Sequence, residues 1–325
     1  MRLIFISLIV LFFVGNLYSQ SEQFELIYNP ELGKTYSLSI STSKLINLKS
    51  VDILVNEGRV LYGDSVKVKV DDLKILNDFS INFKNIKNEN DTLTFEASIS
   101  NLKYSIYNHE NNPLVTEDLK KIEKNNEIFS RILNVPFEFM ITSKGKFVYS
   151  DYIKKLVLNN EDIKNSLSEE DINSLKSELN NKINYSEADT PFIYDLPIQQ
   201  IALNDEWQTT QIIRIEFGKP YEVTTTYRFK DFNESNYEIN SISSIDYSVN
   251  NSLNSSTNIE TKIVANASTV YEIDRQSGWI IYSKSKSDTK SYMDTLYDLE
   301  KNQKYGFRNE TTELTEITIE GKINH

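Results

Sequence analysis

Cysteine is missing from all 325 residues. Its absence excludes a disulfide framework, a thiol nucleophile, thiolate zinc sites and the lipobox cysteine of an acyl-anchored lipoprotein. Histidine is scarce, with only His109 and His325. A Ser-His-Asp triad would need one of them as its base, yet His109 stands in a polar loop beside Asn111 and Asn112, and His325 is the last residue. No HExxH-type pair and no EF-hand loop occurs. The nine glycines form neither a GxGxxG nor a Walker pattern, so no phosphate-cradling loop is expected. These gaps leave no cofactor, no metal and no catalytic residue to expect. Cationic side chains are outnumbered too, 35 against 47 acids, for a net charge of −12. Such a surface argues against nucleic acid as a partner and against an electrostatic grip on anionic lipid headgroups.

The most informative stretch that is present is the first one. Arg2 precedes Leu3–Val14, apolar throughout except Ser7, and Gly15–Gln20 then turns small and polar. This is the pattern of a secretory signal peptide, too short for a membrane span of roughly 20 residues. Cleavage after Ser19 leaves Gln20 at the new N-terminus. The expectation is an exported protein of periplasm, outer-membrane surface or medium, with no integral membrane span after cleavage. The remaining chain, about 305 residues, is long enough to bury roughly 75% of its unfolded surface without disulfides.

Nineteen Tyr and sixteen Phe suit pleated, half-buried sheets. Period-2 alternation recurs at Tyr36, Leu38 and Ile40, at Val66, Val68 and Val70, and at Phe79, Ile81 and Phe83. It continues at Leu93, Phe95, Ala97 and Ile99, and again at Val223, Thr225, Tyr227 and Phe229. This alternation marks antiparallel strands with one buried face. Polar clusters at 87–91 and 233–236 separate neighbouring strands as hairpin loops. The middle of the chain reads differently. Thr116 is a plausible N-cap for a helix whose apolar face carries Leu119, Ile122, Phe129, Ile132 and Leu133. Tyr152–Leu158 reads as a short helix, and Ser168-Glu169-Glu170-Asp171 as the acidic start of another, with Ile172, Leu175 and Leu179 as its stripe.

The two halves echo each other. Phe83–Ile86, a polar loop and Ile99–Ile106 run parallel to Phe229–Phe232, a polar loop and Ile242–Val249. Ser143-Lys144-Gly145-Lys146-Phe147-Val148-Tyr149-Ser150 matches Gln276-Ser277-Gly278-Trp279-Ile280-Ile281-Tyr282-Ser283. An internal duplication follows, with glycines where tight hairpins need positive φ. The expected fold class is therefore α+β, predominantly antiparallel β: two related curved-sheet lobes with a central helical segment packed on the sheet. The expected organisation is a signal peptide over 1–19, an N-terminal β-rich lobe over 20–183 with helices at about 114–182, and a C-terminal antiparallel lobe over 184–325.

Two further motifs read as strand starts: Asn29-Pro30-Glu31-Leu32-Gly33-Lys34-Thr35-Tyr36, and Leu203-Asn204-Asp205-Glu206-Trp207 with its tryptophan anchoring the second lobe's core. Together with the signal peptide and the Ser277-Gly278-Trp279 hairpin, they resemble a family of exported β-rich proteins of unknown function from Gram-negative bacteria. The Asn204-Asp205 turn departs from that family's glycine-containing version. More distantly the chain resembles lipoprotein-carrier-like folds, a curved sheet with helices on its concave side. That resemblance implies that Leu119, Ile122 and Phe129 line a ligand cavity; the simpler alternative is that they only cover the sheet. The leading expectation is a non-catalytic envelope protein binding an apolar small molecule or lipid between sheet and helices. The alternatives are a structural or protein-interaction scaffold of the envelope, partnered by another envelope protein, and a hydrolase built on two carboxylates.

Overall fold

The computed structural model describes residues 22–54, 66–68, 72–108, 110–118, 133–151, 194–213, 221–254, 257–299 and 303–324. The first half supplies β1 (Gln23–Phe24), β2 (Thr35–Leu54), β3 (Val66–Val68), β4 (Leu73–Glu89), β5 (Thr92–Tyr107), β6 (Pro113–Asp118), β7 (Phe137–Thr142) and β8 (Phe147–Ser150). The second half supplies β9 (Ile201–Ala202), β10 (Glu206–Ile213), β11 (Tyr221–Phe232), β12 (Asn236–Asn254), β13 (Thr257–Asp274), β14 (Ile280–Leu299) and β15 (Gln303–Asn324).

Thirteen strands form one antiparallel sheet in the order β10-β11-β12-β13-β14-β15-β2-β4-β5-β7-β8, with β3 added to β2 and β6 to β5. β1 and β9 form a separate two-stranded ribbon. The alternation seen in the sequence is the pleat of this sheet: in β13, Ala265 is buried while Asn266 and Ser268 are exposed. The expected hairpin loops are present. Glu89 pairs with Thr92 across Asn90-Asp91, whose φ values of 46° and 65° make the primed turn that matches strand twist.

Two expectations are corrected. The α+β class gives way to an all-β one, because the described residues contain no helix. Thr116, read as an N-cap, lies inside β6 and pairs with Ser105 of β5. There β-branched Val115 and Thr116 fit a pleated surface, and a free strand edge outweighs a weak local helical preference. The remaining helical readings, at 119–132 and 152–183, fall outside the described residues. The two separate lobes are also replaced by one sheet. The last strand, β15, pairs with the first long strand, β2, from Gly306↔Leu54 to Asn324↔Thr35, so both halves of the chain share a single hydrogen-bonded surface.

β2 and β14 have 20 residues each and β15 has 22, lengths of about 65–75 Å when extended. Among the side chains described, the core cluster lies at one end of them. Trp279, 1% exposed, sits at the start of β14 with its ring 5.4 Å from Tyr36 of β2, 5.3 Å from Phe83 of β4 and 5.4 Å from Phe95 of β5. Four strand spacings, about 19 Å, separate β14 from β5 along the sheet, so the sheet is coiled around this indole. Trp207, the expected anchor, stacks on Tyr227 at 5.2 Å and is only half-buried at the rim of that core.

Candidate functional site

The three residues expected to line a cavity, Leu119, Ile122 and Phe129, lie outside the described residues, as do His109 and His325. The described residues instead bring together parts of the chain that the sequence did not connect. The segment from Glu22 to Pro30 and the segment from Tyr194 to Asp205 lie as a strap against the core end of the sheet, joined through Gln23↔Ala202 and Phe24↔Ile201.

The two glycine hairpins of the proposed duplication grip this strap. At one, the Tyr28 N–H donates to the Ser143 carbonyl at 2.7 Å and the Leu196 N–H to the Lys144 carbonyl at 2.9 Å. Lys144 Nζ donates back to the Leu26 carbonyl at 3.0 Å. At the other, the Asn29 N–H donates to the Ser277 carbonyl at 2.8 Å, and the Tyr194 hydroxyl donates to the Gly278 carbonyl at 2.8 Å. Both glycines hold positive φ, 85° at Gly145 and 69° at Gly278. A Cβ at Gly145 would sit 2.3 Å from the Tyr194 carbonyl oxygen, and one at Gly278 would sit 2.1 Å from that of Ile27. Glycine is thus required twice over, for the turn and for the close approach of the strap.

Tyr28 and Tyr194 form the centre of the clasp, and sequence reasoning missed both. The available signal was an Ile-Tyr pair followed by Asn or Asp and then a proline, in Ile27–Pro30 and in Ile193–Pro197. Burial pushes both hydroxyls well above the usual tyrosine range; at Tyr28 the hydrogen bond to Tyr194 works against that rise. Asn204 explains the departure from the glycine version of its turn. Its φ is 71°, and asparagine is one of the few other residues that tolerate the left-handed region. Asp205 Oδ2 accepts from the Ala202 N–H at 2.8 Å and closes that turn.

The strap leaves little room beneath it. The void between Leu26, Tyr194, Leu196, Ile239 and Ile273 measures about 10 Å³, the space of a single water at most. A larger surface cleft of about 190 Å³ lies at the β11–β12 turn, bordered by Asp231, Phe232, Tyr237, Glu238 and Glu272. Its acids form one row across neighbouring strands, Asp231↔Glu238 and Glu238↔Glu272. They therefore border the cleft from the same side of the sheet. Beneath them the Arg275 guanidinium lies 5.6, 5.9 and 5.5 Å from the rings of Phe24, Phe232 and Tyr237, a cation–π contact internal to the fold. Among the described residues no three acidic or histidine side chains converge as a metal site would require.

Beyond the core, the sheltered face of the sheet turns hydroxyl-rich. Thr225, Ser241, Ser243, Thr269, Ser285 and Ser287 lie on it, with Thr269 donating to Ser285 at 3.0 Å. The opposite face is charged: Lys284, Lys286, Asp288 and Lys290 follow one another along β14, and Lys286 pairs with Glu316 at 2.8 Å. Among the described residues the main strand path ends at the four-residue β8 and the eight-residue β10.

No curated protein matches the chain. Among solved structures, an outer membrane channel from Pseudomonas putida F1 is 7% identical over 90% of this chain and 97% of its own, with a TM-score of 0.16. OpdQ of Pseudomonas aeruginosa is 6% identical over 91% and 100%, with a TM-score of 0.20. The Pseudomonas putida toluene transporter TodX is 7% identical over 89% of both chains, with a TM-score of 0.17. Scores this low carry no weight for fold or function. A family model matches residues 79–280, from β4 to the first residue of β14, and so spans both glycine hairpins and Tyr194. The chain belongs to that family, a family of unknown function designated DUF6263.

Proposed function

We propose that this chain is an exported, non-catalytic protein of the bacterial cell envelope that acts as a structural, protein-interaction scaffold. The observation that carries the reading is the open edge at β10. Eight residues in unbroken register with β11 present their outer backbone groups with no strand on that side among the described residues. Exposed edges of this kind recruit extended segments of other chains. Two other features support it. The void under the strap, between Leu26, Tyr194, Leu196, Ile239 and Ile273, measures about 10 Å³, too small for a lipid at that place, which favours a scaffold over a lipid carrier. The lysines and aspartate on the outer face of β14 are unsuited to hydrocarbon, where each lysine would cost about 2–4 kcal/mol near the midplane. Export rests on the Met1–Gln20 pattern.

The experiment is photo-crosslinking in the native envelope, with a photo-reactive phenylalanine in place of Ile212, which is 57% exposed on β10. A discrete protein adduct is expected. Labelling of lipid alone, or no adduct, overturns the reading.

A further inference from the structure

We infer that the sheltered, hydroxyl-rich face of the sheet is a groove for an uncharged oligosaccharide chain, a site apart from the β10 edge and beyond the scaffold reading. Strand pairing lays one continuous row of side chains across this face: Thr225 of β11, Ser243 of β12, Ala267 of β13, Ser287 of β14, Thr315 of β15 and Lys44 of β2. At about 4.8 Å per strand the row runs for about 24 Å, the length of several sugar rings. Each of the six is partly exposed, so water reaches the row although it lies on the inner side of the coil. All but Lys44 are small, which keeps the floor of the groove close to the backbone. The adjoining row toward the core continues the pattern with Thr269, Ser285 and Thr42. A face meant only for packing against the protein itself is apolar, as the core end of this same face is.

The chemistry of this floor selects its occupant. A hydrocarbon chain would take water from the hydroxyls and return no hydrogen bond. A polyanion or polycation finds no free counter-charge: Lys44 is the only cation of the row, and its Nζ lies 2.8 Å from Glu313, which also accepts from Thr315 Oγ1 at 3.0 Å. An extended peptide cannot add as a strand, since every strand from β11 to β2 has a neighbour on both sides and its backbone groups are spent. A neutral polyhydroxylated chain meets none of these objections. Among the described residues no hydrogen bond occupies the hydroxyls of Thr225, Ser243 and Ser287, and each can both donate and accept, as every sugar hydroxyl does. At the β10 end of the face the half-buried ring of Trp207 adds an apolar plate of the kind that packs on the C–H side of a pyranose.

Titration calorimetry of the purified mature protein with cellohexaose, maltohexaose and chitohexaose tests this, with dextran sulfate and sodium laurate as the charged and apolar comparisons. Saturable binding of at least one neutral hexasaccharide is expected, and none of dextran sulfate or laurate. Ser243→Leu with Ser287→Leu makes the row apolar and is expected to weaken that binding by at least about tenfold. Ser244→Leu with Ser268→Leu changes the same two strands on the opposite, exposed face and is expected to leave it unchanged. A second readout does not depend on the leucine pair folding. The chain has no cysteine, so Ser287→Cys places a single thiol in the row, and bound hexasaccharide is expected to slow its reaction with a water-soluble maleimide, whereas a thiol from Ser268→Cys is not slowed. No binding by any of the three sugars, preferential binding of laurate or dextran sulfate, equal affinity in both leucine pairs, or no protection at position 287 overturns the groove. The crosslink from position 212 decides the scaffold reading independently of these results.

Discussion

The hydroxyl of Tyr28 donates to the backbone carbonyl of Tyr194 at 3.4 Å and accepts from the N–H of the same residue at 3.2 Å, with the two rings 5.3 Å apart. One side chain thus stands in for a strand partner of a residue 166 positions away. Tyr28→Phe keeps the ring but leaves both backbone groups of Tyr194 without this partner in a buried site. A loss of about 1–3 kcal/mol is expected, read from urea denaturation. Tyr194→Phe removes the bond to the Gly278 carbonyl but leaves the backbone groups of Tyr194 paired with Tyr28, and a smaller loss, about 1 kcal/mol, is expected. Equal losses in the two variants would contradict the reciprocal role given to Tyr28.

Stability is expected to fall in alkali through these same tyrosines. Burial, before any other influence, raises Tyr28 and Tyr194 well above the ordinary value of 10.0. In the unfolded chain they lose their protons near that value, while in the folded chain they keep them. Above about pH 10 the unfolded state therefore binds fewer protons, and stability drops as pH rises toward the folded values. Below pH 10 the contribution is complete. The Tyr28→Phe/Tyr194→Phe double variant is expected to show a shallower alkaline limb, by about 1.4 kcal/mol per pH unit for each tyrosine removed. Parallel limbs for wild type and double variant would refute the assignment.

The glycines separate conformational strain from crowding. All of Gly33, Gly145 and Gly278 hold positive φ, but a Cβ on Gly33 would meet nothing within 4 Å. Gly33→Ala is expected to cost only the left-handed backbone penalty, about 1–2 kcal/mol. Gly145→Ala and Gly278→Ala must in addition push the strap off its hairpin, and should lower the denaturation midpoint further. They are also expected to speed proteolysis near Phe24–Pro30. If all three variants melt alike, the strap does not press on the hairpins.

Trp279 fixes the coil of the sheet through four rings, those of Tyr28, Tyr36, Phe83 and Phe95. Trp279→Leu is expected to cost about 3–5 kcal/mol, because the rings around it cannot all collapse into the space. Trp279→Phe should cost less, since it also removes an indole N–H that finds no hydrogen-bond acceptor. Intrinsic fluorescence of the Trp207→Phe variant reports on Trp279 alone, and a blue-shifted emission that reddens only on global unfolding is the expected result.

Much of this fold could be read from the sequence because alternation is a local signal. Tyr36, Leu38, Phe83, Phe95 and Phe229 all proved to face the core, and the 87–91 and 233–236 clusters proved to hold turns, at Asn90-Asp91 and at 233–235, with their remaining residues in the flanking strands. The matched glycine hairpins were visible as a repeat, although their shared task of holding a strap was not. What escaped was non-local. A two-residue strand such as β1 has no period to detect, and the β15–β2 ladder joins the two ends of the chain through residues that look like any other alternating pair. Thr116 misled because a β-branched residue before an apolar stripe fits a helix cap as well as a strand. At the candidate site, the edge character of β10 depends on which strands lie beside it, and one strand's sequence does not record its neighbours.

The clasp also orders events in time. Asn29 bonds to Ser277, a partner about 250 residues further along the chain, and contacts of such long range form late because loop closure must come first. As the polypeptide is made, the Glu22–Pro30 half of the strap comes early and its first seat, the Ser143–Gly145 hairpin, follows, but the second seat is missing until the β13–β14 hairpin exists. A chain built this way completes the hold on its leading end only after nearly all of it has been made.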